Sequence, residues 1–288
     1  MKVAVVTDSN SGINQTRAKE LGITVIPMPF MMNNVEYFED ISITQDEFFE
    51  RIENGETVVT SQPSPEYVME TWDKLLEEYD EIVHIPMSSG LSGACQTAQM
   101  LSEDYNNRVF VVNNQRICPT QRDSVFDAMK MIEKGYTGAQ IKEKLESVKF
   151  ESTIYIMVGT LEYLKRGGRI TPAVAAIGNL LRLKPILAIH GEKLDAHATV
   201  RTWSQGKTNI INSIKKDMDK LIHDTDPSHY TMSIAYTKSD SEAKIFAEEL
   251  RDVFPGVEFI IEPLSLSVAC HIGPESLAMA ISRKIESE

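Results

Sequence analysis

Short apolar runs alternate with amphipathic stretches through the first half of this 288-residue chain. Residues 3–7 and 82–85 are typical of buried strands, whereas residues 91–101 and 123–133 repeat apolar side chains at helical spacing. Strands that alternate with helices form parallel sheets that helices cover on both faces. The sequence therefore predicts an α/β fold with mainly parallel sheets.

A second unit is predicted to begin near residue 150, where the pattern restarts. Its predicted strands are residues 152–158, 184–189, 230–236 and 257–261. Its predicted helices are residues 161–165, 172–183, 204–223, 241–253 and 274–285. A chain of this length suits two modest domains. We therefore predict one α/β domain over residues 1–150 and a second over residues 151–288.

Composition and charge exclude several classes of partner. The net charge of −13 predicts no nucleic-acid partner, because phosphates would be repelled, and it allows at most a transient contact with an anionic membrane. No apolar run has the length of a secretory signal or of a membrane span. Three scattered cysteines without a Cys-x-x-Cys spacing predict a reducing cytoplasm, with neither disulfides nor a zinc site.

Two hydroxyl-rich loops each follow a predicted strand and precede a predicted helix. The first hydroxyl loop is Thr60-Ser61-Gln62-Pro63-Ser64, and the second is Ser88-Ser89-Gly90-Leu91-Ser92-Gly93. Hydroxyls and free backbone N–H groups at such positions suit a small anionic oxygen group. Ser64 is expected to cap the following helix. Thr60 and the serines of the second loop are therefore candidate ligand residues.

Two further segments could contact an anion. The run Lys165-Arg166-Gly167-Gly168-Arg169 concentrates positive charge in an acidic protein, and it is either a solvated turn or a contact for an anion or a partner. His271 precedes a glycine and a predicted helix, where it could be a structural hydrogen-bonding group or an anion ligand. No histidine or carboxylate cluster has metal-ligand spacing, so no metal is predicted.

Taken together, these motifs resemble the DegV family of bacterial fatty-acid-binding proteins. In chain order, the matching segments are Thr7-Asp8-Ser9, the two hydroxyl loops, Leu161-Glu162-Tyr163-Leu164-Lys165-Arg166-Gly167-Gly168-Arg169-Ile170 and His271-Ile272-Gly273-Pro274. The resemblance extends over essentially the whole chain. It implies two α/β domains with one long-chain fatty acid held between them. It also implies a carrier without a catalytic residue and without a cofactor other than the bound lipid.

The resemblance also assigns roles to individual residues. Its implied ligand-binding residues are Thr60, Ser61, Ser89, Ser92 and His271, with Thr60 and Ser92 bonded to the carboxylate. Its implied contacts to a partner or an acyl phosphate are Arg166, Arg169 and Arg201. In relatives that serve a fatty acid kinase, the protein presents the bound acid for phosphorylation and phospholipid synthesis. The candidates for contacting the lipid tail are Met28, Phe30, Ile177, Leu180 and Leu181.

Two departures from the family pattern and two alternative functions accompany this interpretation. Glu275 replaces the last glycine of His-x-Gly-Pro-Gly, and Asn10-Ser11-Gly12 replaces Thr-Ala-Asp. One alternative is a lipid esterase that uses Ser92 and His271, although residues 90–93 lack the Gly-x-Ser-x-Gly spacing of a nucleophile elbow. The other alternative is a transferase for a small phosphorylated ligand that uses the arginines.

Overall fold

A computed structural model describes residues 1–171, 174 and 183–285 of the chain. Its strands are β1 (Val3–Asp8), β2 (Thr24–Ile26), β3 (Phe30–Met32), β4 (Val35–Tyr37), β5 (Val58–Thr60), β6 (Glu81–Ile85), β7 (Val109–Val111), β8 (Ser152–Val158), β9 (Lys184–Ile189), β10 (Leu194–Val200), β11 (Tyr230–Tyr236), β12 (Phe259–Pro263) and β13 (Ser276–Arg283). Its helices are α1 (Gln15–Leu21), α2 (Gln45–Glu53), α3 (Pro65–Leu75), α4 (Ala94–Ser102), α5 (Pro119–Glu133), α6 (Gly138–Ser147), α7 (Glu162–Arg166), α8 (Trp203–Asp217), α9 (Ser241–Arg251) and α10 (Leu266–Ile272). The α/β class predicted from the sequence is confirmed.

The first half of the chain forms a parallel sheet in the order β2-β1-β6-β7. Helices α3 and α4 pack on one face around the buried Trp72, and α5 and α6 pack on the other face. The buried Asp8 ends β1, the second hydroxyl loop follows β6, and the first hydroxyl loop begins with Thr60 at the end of β5. The carboxyl ends of parallel strands meet at one edge, so β1 and β6 bring their following residues together.

The second half forms a sheet in the order β10-β9-β8-β13-β11-β12, and here the predicted parallel arrangement is wrong. In the described part of the chain, only β11 and β12 of this sheet pair in parallel, and the other four pairs are antiparallel. The turn between β9 and β10 explains part of this difference. It has four residues, which can join antiparallel strands but is too short for a parallel crossover.

The predicted helix over residues 274–285 is also wrong, because this segment contains strand β13. β13 lies between β8 and β11, and it is buried on both faces. A strand buried on both faces has a continuous apolar run, which resembles a buried helix in sequence. The predicted helix over residues 172–183 falls mostly outside the described residues.

A three-stranded antiparallel sheet in the order β4-β3-β5 was not predicted. Its inner face carries Phe30 and Met32, which pack against α2 and against Leu266 and Ala269 of α10. This contact brings the end of β5 beside α10, which lies more than 200 residues later in the chain.

Among the described residues, the strands before residue 112 belong to the parallel and three-stranded sheets, and those after residue 151 belong to the six-stranded sheet. The division into domains at residue 150 stays a prediction. Helix α5 contacts β1 and β6 on one side and β13 on the other, so the two groups of strands share a buried helix. Among the described residues, no helix combines the length and apolar character needed to cross a membrane.

Candidate ligand-binding cavity

A mostly apolar cavity lies between the hydroxyl loops and the inner face of the six-stranded sheet. Its space not filled by protein atoms is about 900 Å³, including the open mouth. The polar residues of its wall are Asn10, Thr60, Ser61, Ser92, Arg169, Ser267 and His271. The structure therefore brings four of the five predicted ligand-binding residues to one cavity.

Thr60 and His271 form the polar pair of this cavity. Thr60 ends strand β5, and its Oγ1 lies 2.9 Å from Nε2 of His271 near the end of α10. Burial, together with the nearby positive charge of Arg169, lowers the pKa of His271 to about 4. His271 is therefore neutral near pH 7, and its buried Nδ1 has no hydrogen-bond partner within the described structure. A hydroxyl and a neutral imidazole can hydrogen-bond a carboxylate without a full salt bridge.

The glycine-rich basic turn packs directly on His271. A Cβ atom placed on Gly167 would lie 2.1 Å from Nδ1 of His271, so only glycine allows this approach. Gly273 allows a close contact with Tyr163, because its φ is +78° and a Cβ there would lie 2.5 Å from the Tyr163 ring. The turn is therefore not simply solvated, since its first glycine fixes the position of the imidazole.

Ser92 lies in the cavity wall, and its Oγ accepts a hydrogen bond from the N–H of Ala94 at 3.2 Å. Gln62 of the first hydroxyl loop packs on the second, because a Cβ on Gly93 would lie 3.2 Å from its Oε1, which also accepts a hydrogen bond from Thr97 of α4 at 3.2 Å. Ser61 also lies in the wall. Ser89 is partly buried but does not line the cavity, so the structure separates it from the other predicted ligand residues.

The turn between β9 and β10 closes over the second hydroxyl loop. A Cβ on Gly90 would lie 2.3 Å from the carbonyl oxygen of Glu192, so glycine permits this close backbone contact. Gln115 also binds this turn, because its Nε2 donates to Oε1 of Glu192 at 2.7 Å. The cavity is thus built from residues on both sides of position 150.

Asp8 fixes the second hydroxyl loop to β1. Its buried carboxylate accepts hydrogen bonds from the N–H of Met87 at 2.7 Å, from the N–H of Asn10 at 3.0 Å and from Nε2 of Gln121 at 3.2 Å. Burial raises the pKa of Asp8, while these donors oppose that rise. The Thr7-Asp8-Ser9 motif therefore positions the loop, and Asp8 is not part of the cavity wall.

Asn10 and Ser267 are wall residues that the sequence did not identify as ligand residues. Ser265 and Ser267 both donate hydrogen bonds to Oδ1 of Asn10, the former at 3.2 Å. Ser267 lies one helical turn before His271 on α10, so both face the cavity. The signal in the sequence for this part of the wall was Asn10, which follows Thr7-Asp8-Ser9 where the family usually has threonine.

The three predicted arginines lie in different places. Arg169 lines the cavity, and its Nη1 donates to the carbonyl oxygen of Gly167 at 2.7 Å. Arg166 is exposed, with Glu162 at 3.8 Å. Arg201 is exposed beyond the end of β10, whereas the cavity residue Leu194 begins that strand. At ~3.3 Å per residue, Arg201 lies roughly 20 Å along the strand from Leu194.

Of the residues predicted to contact the lipid tail, some line the cavity and others do not. Met28 lines the cavity, but Phe30 is fully buried under the three-stranded sheet and not in the wall. Ile177, Leu180 and Leu181 lie outside the described residues. Glu275 packs over Gly159 and does not line the cavity, so its carboxylate is not part of the polar pair's surroundings.

The geometry does not favour the esterase alternative. Nε2 of His271 pairs with Thr60, and no hydrogen bond links His271 to Ser92 among the described residues, as an esterase would need. Within residues 1–171, 174 and 183–285, no three His, Cys, Asp or Glu side chains form a group able to hold a metal ion. Cys95, Cys118 and Cys270 are buried free thiols.

Comparison with known proteins agrees with this geometry. The family model for DegV, described as "Uncharacterised protein, DegV family", matches residues 2–284. Protein DegV of Bacillus subtilis is 28% identical over 282 residues, which cover 97% of this chain and 98% of that protein. A DegV family protein from Thermus thermophilus, described for its fatty acid binding, superposes with a TM-score of 0.89 at 27% identity and covers 98% of this chain and 100% of its own. DegV of Bacillus subtilis, described as a fatty acid binding protein, superposes with a TM-score of 0.87 at 28% identity over 99% of this chain and 100% of its own. This chain belongs to the DegV family.

Proposed function

We propose that this chain binds one long-chain fatty acid in the cavity. The observation that carries this proposal is an apolar cavity whose wall includes a paired hydroxyl and neutral imidazole, Thr60 and His271. The fatty acid binding described for the Thermus thermophilus and Bacillus subtilis relatives supports it. The carboxylate would lie at Thr60, Ser92 and His271, and the acyl chain would lie along the apolar wall.

The cavity residues suit an anionic head and an apolar tail. Arg169 forms no salt bridge within the described residues, and it adds positive charge at the wall. The tail would supply most of the affinity, since each buried methylene is worth about 0.8 kcal/mol before ordering costs. The hydroxyls would mainly fix the orientation of the head, because a neutral hydrogen bond contributes about 0.5–1.5 kcal/mol.

The binding test uses the protein as purified from a bacterial host. Extraction and mass analysis should find about one long-chain acid per chain. Thr60→Val should lower the affinity of the delipidated protein, whereas Thr199→Val, on an exposed strand position away from the cavity, should leave it unchanged. Repeated preparations without lipid, together with no binding in a titration with palmitic acid, would refute the proposal.

The proposal extends to presentation of the bound acid to a cytoplasmic fatty acid kinase. Arg169 supports this step, because it is exposed and also lines the cavity beside the polar pair. We expect Arg169→Gln to lower phosphorylation by a cognate kinase more than it lowers lipid loading, because the tail supplies most of the affinity. Arg201→Gln, more remote from the cavity, reports whether a kinase surface extends along β10. Loss of lipid loading in Arg169→Gln with normal phosphorylation per bound acid would place Arg169 in lipid binding alone.

A further inference from the structure

Alanines of the six-stranded sheet form part of the cavity floor, beside larger apolar residues of β8. Ala278 and Ala280 of β13 and Ala235 of β11 line the cavity. The opposite face of β13 carries Leu277, Met279 and Ile281, which fill the hydrophobic core beneath α8 and α9. Side chains alternate along a strand, so the same strand fills one side of the sheet and leaves the other side open.

The floor residues form successive rows away from the polar pair. Ala278 pairs with Ile156 of β8 and with Ala235 of β11. Ala280 pairs with Ile154 of β8 in the next row. α10 ends at Ile272, one residue after His271, and β13 begins at Ser276, whose Oγ donates to the carbonyl oxygen of Ile272 at 3.3 Å. The Ala278 row is therefore the nearer one, and the Ala280 row lies about 6.6 Å farther along the strand.

Buried polar groups lie in the Ala280 row and in the row after it. Nη2 of Arg122 donates to Oγ of Ser233, which pairs across the sheet with Ala280. Ser282, in the row after Ala280, donates to the buried carboxylate of Asp123. An apolar chain that entered this row would break buried polar contacts, which is strongly unfavourable.

We propose that Ala278 and Ala280 set the longest acyl chain that the cavity accepts, with Arg122 and Asp123 as its end wall. This inference rests on the proposed binding of a fatty acid. A leucine at either position occupies the space of several methylenes. Each methylene that is kept out of the cavity lowers the affinity by about fourfold.

The test measures the affinities of decanoic, myristic, palmitic and stearic acids for delipidated parent protein, Ala280→Leu and Ala278→Leu. Ala280→Leu should lose about tenfold or more for stearic acid and change by less than about threefold for decanoic acid. Ala278→Leu should move the limit to still shorter acids. Ala196→Leu, an identical change at an exposed position of the same sheet, should leave all four affinities unchanged.

An equal loss for all four acids, or no loss in either cavity variant, would overturn the chain-length assignment. If the longest acid that Ala278→Leu binds is not shorter than the longest acid that Ala280→Leu binds, the order of the two rows is overturned. If the parent binds none of the acids, the proposed function fails instead, and that outcome is separate. Thermal unfolding checks each variant, and Ala280→Val and Ala278→Val provide the same comparison if a leucine variant does not fold.

Discussion

The packing of Gly167 on His271 predicts that a single added methyl group disturbs the cavity. In Gly167→Ala the new Cβ would lie 2.1 Å from Nδ1 and 2.7 Å from Cε1 of His271, so the ring must move. Overpacking of this kind costs about 1–3 kcal/mol in the free energy of unfolding. Movement of the ring also removes its hydrogen bond with Thr60, worth about 0.5–1.5 kcal/mol. We expect fatty-acid affinity to fall about two- to tenfold.

Denaturant unfolding and titration of delipidated protein measure these two effects. Gly135→Ala is the matched control, because Gly135 has a φ of +83° and a Cβ there meets nothing within 4 Å. Its left-handed backbone should cost about 1–2 kcal/mol in stability while lipid affinity stays at the parent value. Parental affinity in Gly167→Ala, or an equal loss of affinity in both variants, would refute the role assigned to the position of His271.

Two further predictions concern the polar residues of the cavity. Ser92→Ala should weaken fatty-acid binding about two- to tenfold in the same titration. It should also lower the free energy of unfolding by about 1 kcal/mol, because the N–H of Ala94 loses its acceptor. Parental affinity in this variant would remove Ser92 from the head site. The pKa of His271 falls from the ordinary value of 6.5 to about 4 on folding. As the pH drops from 6.5 to 4, the unfolded chain therefore binds the proton before the folded chain does. The free energy of unfolding then decreases by at most about 1.4 kcal/mol per pH unit. His271→Gln should therefore flatten the slope of unfolding free energy against pH between about 4 and 6.5, and an unchanged slope would contradict a buried neutral histidine.

The parallel sheet and the hydroxyl loops could be predicted because their signals are local. Residues 44–47 form a capping box, and Ser64 caps α3 with Pro65 at its first position, as their spacing predicts. The three-residue strands β3, β4 and β5 are too short to show a period. The contact between Thr60 and His271 depends on that sheet, so only their separate motifs, and not their pairing, could be found in the sequence.

The incorrect helix over residues 274–285 had a larger consequence, because it concealed the floor of the cavity. On a helix, residues two apart do not face each other, so Ala278 and Ala280 would not share a surface. On β13 they share the cavity face, and Leu277 and Met279 share the core face. The alternation of small and large residues in Ser276-Leu277-Ala278-Met279-Ala280-Ile281-Ser282 is thus a strand signal in which both faces are buried. Its two faces differ in side-chain volume, not in polarity, and a search for polar alternation cannot detect that difference. A strand with alanine on one face and large apolar residues on the other is therefore the sequence pattern from which an apolar cavity in such a sheet could have been predicted.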